Sequence, residues 1–451
     1  ALFALAVVSR LVTTVYYIED ADSLRFALSV MDYSVADLRP HFPGYPVFAF
    51  AAKVLTAATG SYAVAFSLLG AFATFTIIYY LQRLLRCDPA DPAGLVLAAL
   101  ILLNPMVWLL SNRYMPDLLG AACAVAAVYH LLHHKRDLGF FLAGLLAGIR
   151  LSFVPLLIPP ALFALRTRTI RNLVFGALGV LVWLVPLVID TGWAELIAAA
   201  RRQTEGHFGD FGGTVYTEPV LRQRITGAVR GVWAHGLGGY WTMRHPITLL
   251  VGAGFAAALA AGVQPLRRAM PRHILGTIAA SFVTYLVWIS LYQNVIHKSR
   301  HVLPLVLFVL LVAAMGTWEL TRRGRMGQIV VGLFLTSYAV VTLTVVTQHR
   351  QPTAIAQVAE QLREVDAGEL YVFSIPLANF YLASVGVEAH FVSTEPGVTP
   401  TAPPDGARTF AVGVDPGWTR SASSSQSFYH NPFVNPMWPQ IVVREYVREE
   451  E

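Results

Sequence analysis

The chain has 451 residues, 55% of them hydrophobic and only 13% charged, with a mean hydropathy of +0.55. Soluble domains carry about 25% charged residues, so this balance excludes an ordinary soluble globule and describes a polytopic α-helical membrane protein. The formal charge of +6 does not point to nucleic acid, because the basic residues are dispersed in short loops between apolar runs.

Cys87 and Cys123 are the only cysteines, and both lie in or beside apolar segments. A disulfide framework and a Cys/His metal site are therefore not expected. Ala1–Ile18 is apolar and runs into an acidic stretch without a small-residue cleavage site, so it reads as a retained first helix. Further spans are expected at Tyr62–Leu81, Ala93–Leu110, Leu118–Leu132, Leu173–Ile189, Ile247–Val263, Ile274–Tyr292, Val302–Trp318 and Ile329–Val346. The basic loops Arg83/Arg86, Lys135/Arg136, Arg166/Arg168/Arg171, Arg267/Arg268/Arg272 and Arg322/Arg323/Arg325 should all face the cytoplasm.

That orientation decides two ambiguous segments. Pro46–Thr59 is apolar, contains Lys53 and is short; if it crossed, every later basic loop would invert, so it is expected along the outer surface. Leu138–Leu165 has basic loops on both sides, which predicts two short helices broken around Gly148-Ile149-Arg150 and returning to the cytoplasm. Arg150 should then face a cavity and not lipid. With this hairpin the expectation is eleven membrane helices, with the first loop and the C-terminus outside.

Two larger outer regions remain. Thr191–Arg244 contains the glycine-rich run Gly206-His207-Phe208-Gly209-Asp210-Phe211-Gly212-Gly213, readable as a mobile loop or a plain connector. From Arg350 the composition turns polar. Pro352–Val365 predicts a helix, Glu369–Ser374, Thr409–Val414 and Gln440–Tyr446 predict strands, and Ser421–Ser427 reads as a loop. The domain expectation is a membrane domain over 1–349, with outer loops at 19–60 and 191–244, and a small extracytoplasmic α/β domain over 350–451. No nucleotide-binding glycine motif and no internal repeat is visible.

Polar residues cluster at the outer ends of the apolar runs. The densest group is Glu19, Asp20 and Asp22, three carboxylates within four residues where the first helix leaves the bilayer. Acids at a membrane boundary are costly unless hydrated or paired, which makes them candidates for function, with a solvated helix boundary as the plain alternative. Around them in sequence come Arg10, His41, Tyr45, Arg113, Asp117, His245, His297, Lys298 and Arg300. Arg113 and Asp117 could form a local salt bridge, and His245 could cap a helix. Arg10 lies roughly 13 Å below Glu19 at helical rise, which favours a buried partner over snorkelling.

These stretches resemble the membrane-embedded GT-C glycosyltransferases that use polyprenyl-phosphate sugars, the protein mannosyltransferase and aminoarabinose transferase-like superfamily. The acidic pair after the first helix is similar to theirs. His41-Phe42-Pro43-Gly44-Tyr45-Pro46 resembles the turn that closes their first outer loop, with Phe42 where a proline is usual. Arg113-Tyr114-Met115-Pro116-Asp117 resembles their Arg-Pro-Asp-type lead-in to a later helix, and Gly148-Ile149-Arg150-Leu151-Ser152-Phe153 their mid-protein hairpin. His297-Lys298-Ser299-Arg300-His301-Val302-Leu303-Pro304 is similar to the His-Lys-x-x-Arg stretch of the mannosyltransferase branches. Here Arg300 comes one residue early and no acid follows Lys298, which leaves the donor sugar open.

The resemblance implies transfer of a hexose or pentose from a polyprenyl-phosphate donor to a hydroxyl of a glycan, lipid or protein acceptor, on the outer face of a bacterial or archaeal cell membrane. Membrane lipids are the other expected partners. A carboxylate would take the acceptor proton while the lipid phosphate leaves towards placed cations. Asp20 is the first choice as base, then Asp22, with Glu19 positioning the acceptor or pairing with Arg10. Arg150, Lys298 and Arg300 are the candidates for the phosphate, because arginine binds phosphate bidentately and stays charged. No cofactor is required, and a carboxylate-bound divalent metal is compatible with the pattern. A transporter or flippase of lipid-linked sugar is the rival reading, and a non-catalytic membrane scaffold a third. Transporters place charged sites near the midplane between repeated halves, and neither feature is present.

Overall fold

The structure, a computed structural model, describes the chain except residues 89, 134, 167–168, 366–368, 395–399, 402, 405, 419–420 and 447–451. Arg168, expected in a cytoplasmic loop, lies outside the described residues. The chain divides into two compact units. One comprises 1–15 and 25–347, the other 16–24 and 348–451. The acidic stretch clusters with the C-terminal residues instead of with the helices.

In the first unit, apolar composition sets the elements. Seven helical runs among the described residues are long and apolar enough to cross a bilayer, the last of them running on to Arg363 in the second unit. An eighth arises if Pro92–Leu102 and Pro105–Asn112, bent by 56°, form one span. The bend falls at Asn104-Pro105, where proline cannot donate and the Asn104 side chain instead accepts from Val107 N at 2.9 Å. Length and composition give fewer crossings than the eleven expected, because Leu2–Val12 has 11 residues, Asp117–Leu132 has 16, and the expected hairpin counts once as Arg136–Ala164.

The run Arg136–Ala164 counts as a single 29-residue span by length, yet it folds back on itself. A straight helix of that length would extend about 44 Å. Instead the Arg136 guanidinium lies 5.8 Å from the Phe163 ring. The reversal begins at Arg150, whose φ of −154° and ψ of 86° leave the helix, and continues through a 3₁₀ turn containing Pro155. The expected hairpin is therefore present, broken where the sequence placed it. Glycines let its first arm pack closely, since a Cβ on Gly144 would lie 2.3 Å from Gly176 O.

The first helix is shorter than expected. It ends at Val12, not Ile18, and Thr13 and Thr14 turn their hydroxyls back onto Ser9 O and Leu11 O at 2.8 and 2.9 Å. Side-chain competition for helix carbonyls at two β-branched residues accounts for the stop. Pro46–Thr59 forms the short helix expected, 14 residues or about 21 Å, less than the roughly 30 Å hydrocarbon core. It begins from Tyr45 in the left-handed region (φ 47°), after Gly44 at φ 81°.

The second unit is a mixed five-stranded sheet with flanking helices. Its strands are β1 (Leu370–Ser374), β2 (His390–Ser393), β3 (Arg408–Val412), β4 (Ser424–Tyr429) and β5 (Gln440–Tyr446), in the order β2-β1-β3-β5-β4. β1 pairs parallel to β2 and β3, and β5 pairs antiparallel to β3 and β4. Of the run Ser421–Ser427 expected as a loop, Ser424–Ser427 belong to the edge strand β4. Five of its six residues are exposed, so no apolar alternation marks it, and cross-strand pairing with β5 from Ser424 to Tyr429 holds it. β2 and the helix Pro376–Ser384 were also absent from the expectation.

Candidate active site

Within the membrane unit the structure brings five of the expected residues together, four of them linked to the carboxylate of the fifth, Asp117. Asp117 opens the helix Asp117–Leu132 directly after Pro116, with both oxygens buried and facing the positive end of the helix dipole. Arg150, at the hairpin break, places Nη2 2.9 Å from Asp117 Oδ1, an ion pair by distance without an aligned hydrogen bond. Arg300 Nε approaches Asp117 Oδ2 at 3.9 Å. The pair is buried, with side-chain exposures of 7% for Arg150 and 0% for Asp117. Gly120 makes room for it, since a Cβ there would stand 2.6 Å from the Arg150 Cβ. The local Arg113–Asp117 bridge considered from sequence gives way to this longer-range one.

The turn before Pro46–Thr59 completes the cluster. Arg150 Nη1 donates to Tyr45 Oη at 3.4 Å, with its guanidinium 5.8 Å from the Tyr45 ring and 5.9 Å from the Phe153 ring. His41 Nε2 lies 3.1 Å from Tyr45 Oη. His41, Tyr45, Arg150, Asp117 and Arg300 therefore form a continuous chain of contacts with two guanidinium groups on one carboxylate.

The acidic stretch is ordered by different partners. Its plain alternative, a solvated boundary, does not hold, because Glu19, Asp20 and Asp22 are 2%, 3% and 7% exposed. Asp20 Oδ1 accepts from Ser23 N at 2.8 Å and its carbonyl accepts from Leu24 N at 2.9 Å. That is the geometry of a helix N-cap, and the helix Ala21–Met31 follows with Asp22 in its first turn. Glu19 Oε1 accepts from His349 Nε2 at 2.7 Å. The expected partner of Glu19, Arg10, is occupied elsewhere. It is fully buried and donates to Ser111 Oγ at 3.2 Å and Leu102 O at 3.1 Å, with its guanidinium 4.2 Å over Trp108. Arg10 thereby ties membrane helices together.

His245 and His297 are engaged by other partners. Exposed His245 accepts from Ile247 N at 3.2 Å just before the helix Thr248–Ala269, the capping role allowed from sequence. His297, also exposed, contacts Glu218 Oε1 at 2.8 Å, and Glu218 in turn accepts from Gly213 N at 3.0 Å. The glycine-rich run is tied as well, with His207 Nε2 donating to Tyr292 O at 2.7 Å and residues 206–210 continuing the helix Trp193–Glu205 as a π turn. Lys298 is partly buried, two residues before Arg300. Arg113 is buried where the helix Pro105–Asn112 ends.

Nearby in the same unit, His235 lies buried, and burial together with Arg230, Arg244 and Arg113 pushes its pKa down to about 3. Sequence reasoning overlooked it, as it did His349, which had only its position at a helix end to mark it. Among the described residues no group of three or more His, Cys, Asp and Glu stands in metal-binding geometry, the three clustered carboxylates included.

No known family profile matches the chain, and no curated protein matches it. Solved structures do. The structure of ArnT from Cupriavidus metallidurans bound to undecaprenyl phosphate aligns over 98% of this chain and 97% of its own, with a TM-score of 0.55 and 12% identity. The apo ArnT structure from the same organism aligns over the same shares, with a TM-score of 0.55 and 13% identity. At such identity the likeness shows the fold alone, and that fold is a polytopic helical GT-C-like membrane protein carrying a small C-terminal sheet domain.

Proposed function

We propose that this protein is a membrane glycosyltransferase that moves a sugar from a polyprenyl-phosphate donor to a hydroxyl acceptor at the extracytoplasmic face. The observation that carries the reading is the buried pair of arginines on Asp117. They bring two planar guanidinium groups, each able to bind a phosphate bidentately and to stay charged, to one carboxylate in a region of low dielectric. The fold shared with a protein crystallised with undecaprenyl phosphate adds support.

In this reading Arg150 and Arg300, with Lys298, receive the charge that develops on the phosphate as the glycosidic C–O bond breaks. Asp117 holds the two arginines at a fixed separation, and Tyr45 orients Arg150 from the other side. A carboxylate of the acidic stretch removes the acceptor proton as the acceptor oxygen attacks the anomeric carbon. Asp20 is the first choice, a carboxylate held in place by its bond from Ser23 N. Asp22, one residue into the helix, is the second choice. Glu19, engaged by His349, supports the stretch and not the proton transfer.

The direct test is incubation of the purified protein with a panel of polyprenyl-phosphate hexoses and pentoses, following release of lipid phosphate and labelled product. Transfer from at least one donor, lost on replacing Arg150, is the expected result. Binding and translocation of lipid-linked sugar without any covalent transfer would replace this reading with the transporter.

A further inference from the structure

We infer that residues 348–451 act as a clamp that sets the backbone of Ile18–Glu19 and so presents the acidic stretch for proton transfer. The inference rests on the reading above for the transfer step, but the clamp itself is read from contacts within the second unit. Nothing in the sequence joins residues 16–24 to a segment more than three hundred positions away, and yet the two form one compact unit.

The contacts fall on consecutive residues. Tyr17 Oη donates to His349 O. Tyr381 Oη donates to Ile18 O at 2.6 Å. The carbonyl of Glu19 accepts twice, from Thr353 Oγ1 at 3.2 Å and from Asn435 Nδ2 at 3.3 Å. The Glu19 carboxylate accepts from His349 Nε2 at 2.7 Å. Thr353, Tyr381, Asn435 and His349 are all 2% exposed or less, so each bond is shielded from competing water. The donors come from the end of the last long helix, the next helix's cap, the helix Pro376–Ser384 and the loop before β5. Four separate elements converge on two carbonyls and one carboxylate.

Chemistry explains why this matters for the neighbouring residue. Ile18 and Glu19 precede the N-cap, where the chain has no regular hydrogen bonding of its own to fix it. Asp20 can cap Ala21–Met31 only if its own φ and ψ are held in a non-helical state. Pinning both preceding carbonyls fixes the peptide plane that enters Asp20 and hence the direction of its carboxylate. Burial pushes the Tyr381 phenol up, which keeps it a donor to Ile18 O. The clamp is itself supported, because Gln348 O accepts from His430 Nε2 at 3.2 Å and Gln348 Oε1 from Asn431 Nδ2 at 2.6 Å. His349, Thr353, Tyr381 and Asn435 are thus positioning residues acting through residues 18–20.

The test compares His349→Ala, Asn435→Ala, Tyr381→Phe and His349→Gln in the full-length protein. Amide hydrogen exchange is followed by mass spectrometry, and transfer is assayed alongside. Exchange over 16–24 should rise about 10–100-fold in His349→Ala, the opening expected when a buried hydrogen bond to a charged group is lost. Exchange in the helices Tyr62–Leu85 and Leu303–Thr321 should not change. Turnover should fall with donor KM nearly constant, and His349→Gln, which keeps an N–H donor, should recover part of both. Tyr381→Phe, the mildest variant, covers the case in which an alanine variant fails to fold. Unchanged exchange over 16–24 in all four variants would overturn the clamp. Raised exchange with unchanged turnover would overturn its positioning role. Loss of transfer from every donor by the unaltered protein would refute the transferase reading while the exchange data still judged the clamp.

Discussion

Breaking the Asp117 cluster from its two sides should give unequal damage, and the inequality follows from the distances. Asp117→Asn removes the carboxylate 2.9 Å from Arg150 and 3.9 Å from Arg300. At an effective dielectric of about 20 the closer pair is worth roughly 6 kcal/mol of gross Coulomb attraction and the farther roughly 4. Desolvation offsets much of both, so the measurable quantity is the cost of breaking a buried pair, about 3–5 kcal/mol. Arg150→Met leaves Asp117 with Arg300 as a remaining counter-ion, and its cost should sit at the low end of that range. Asp117→Asn leaves Arg150 only Tyr45 Oη at 3.4 Å and should sit at the high end. The double variant removes the uncompensated charge and should recover about 1–3 kcal/mol relative to additivity. The assay is thermal and denaturant unfolding in one detergent, with all four proteins compared. Strict additivity, or greater damage from Arg150→Met than from Asp117→Asn, would refute the geometry described.

Two further outcomes are expected. Arg300→Ala and Lys298→Ala should each raise the donor concentration needed for half-maximal transfer by about 10-fold or more, read from initial rates, since a charge-assisted contact to phosphate is worth about 1.5–3 kcal/mol. Normal donor use by both would place the phosphate elsewhere. His235, held near a pKa of about 3 while an unfolded histidine titrates near 6.5, binds its proton more readily unfolded. Its neutral form therefore stabilises the fold above pH 6.5, and that contribution is lost as pH falls from 6.5 towards 3, at up to about 1.4 kcal/mol per pH unit. Melting temperatures measured from pH 7 to 4 should fall less steeply in His235→Gln than in the unaltered protein; equal slopes would contradict the assignment.

Much of this arrangement was legible because membranes impose simple rules. Apolar runs gave the helices, and basic loops on both sides of 138–165 gave a hairpin that helix length alone would have hidden. Arg150 was singled out at that break for the same reason. The sequence could not pair it with Asp117, because the two lie on different helices and meet only through Gly120. Asp20 as a helix cap was readable in principle from the aspartate three residues before Ser23. The apolar pattern of Ala1–Ile18 obscured it by suggesting that a helix ended there, whereas one ends at Val12 and another begins at Ala21. The Glu19–His349 contact had no local signal, since it depends on how residues 348–451 fold. β4 went unseen because an exposed edge strand of serines carries no alternation.

The central claim is that a carboxylate of the acidic stretch accepts the proton of the incoming hydroxyl, and Asp20→Asn tests it most directly. Asparagine keeps the shape and can still accept from Ser23 N, so the helix should remain capped, but it cannot take a proton at neutral pH. Transfer from the best lipid-phosphate donor should fall by about 10²–10⁴-fold. Binding of that donor should stay within twofold of the unaltered protein. Asp22→Asn and Glu19→Gln, measured beside it, should lose less. Near-normal turnover in Asp20→Asn with a dead Asp22→Asn would move the base two residues along to Asp22, and near-normal turnover in all three variants would contradict the account.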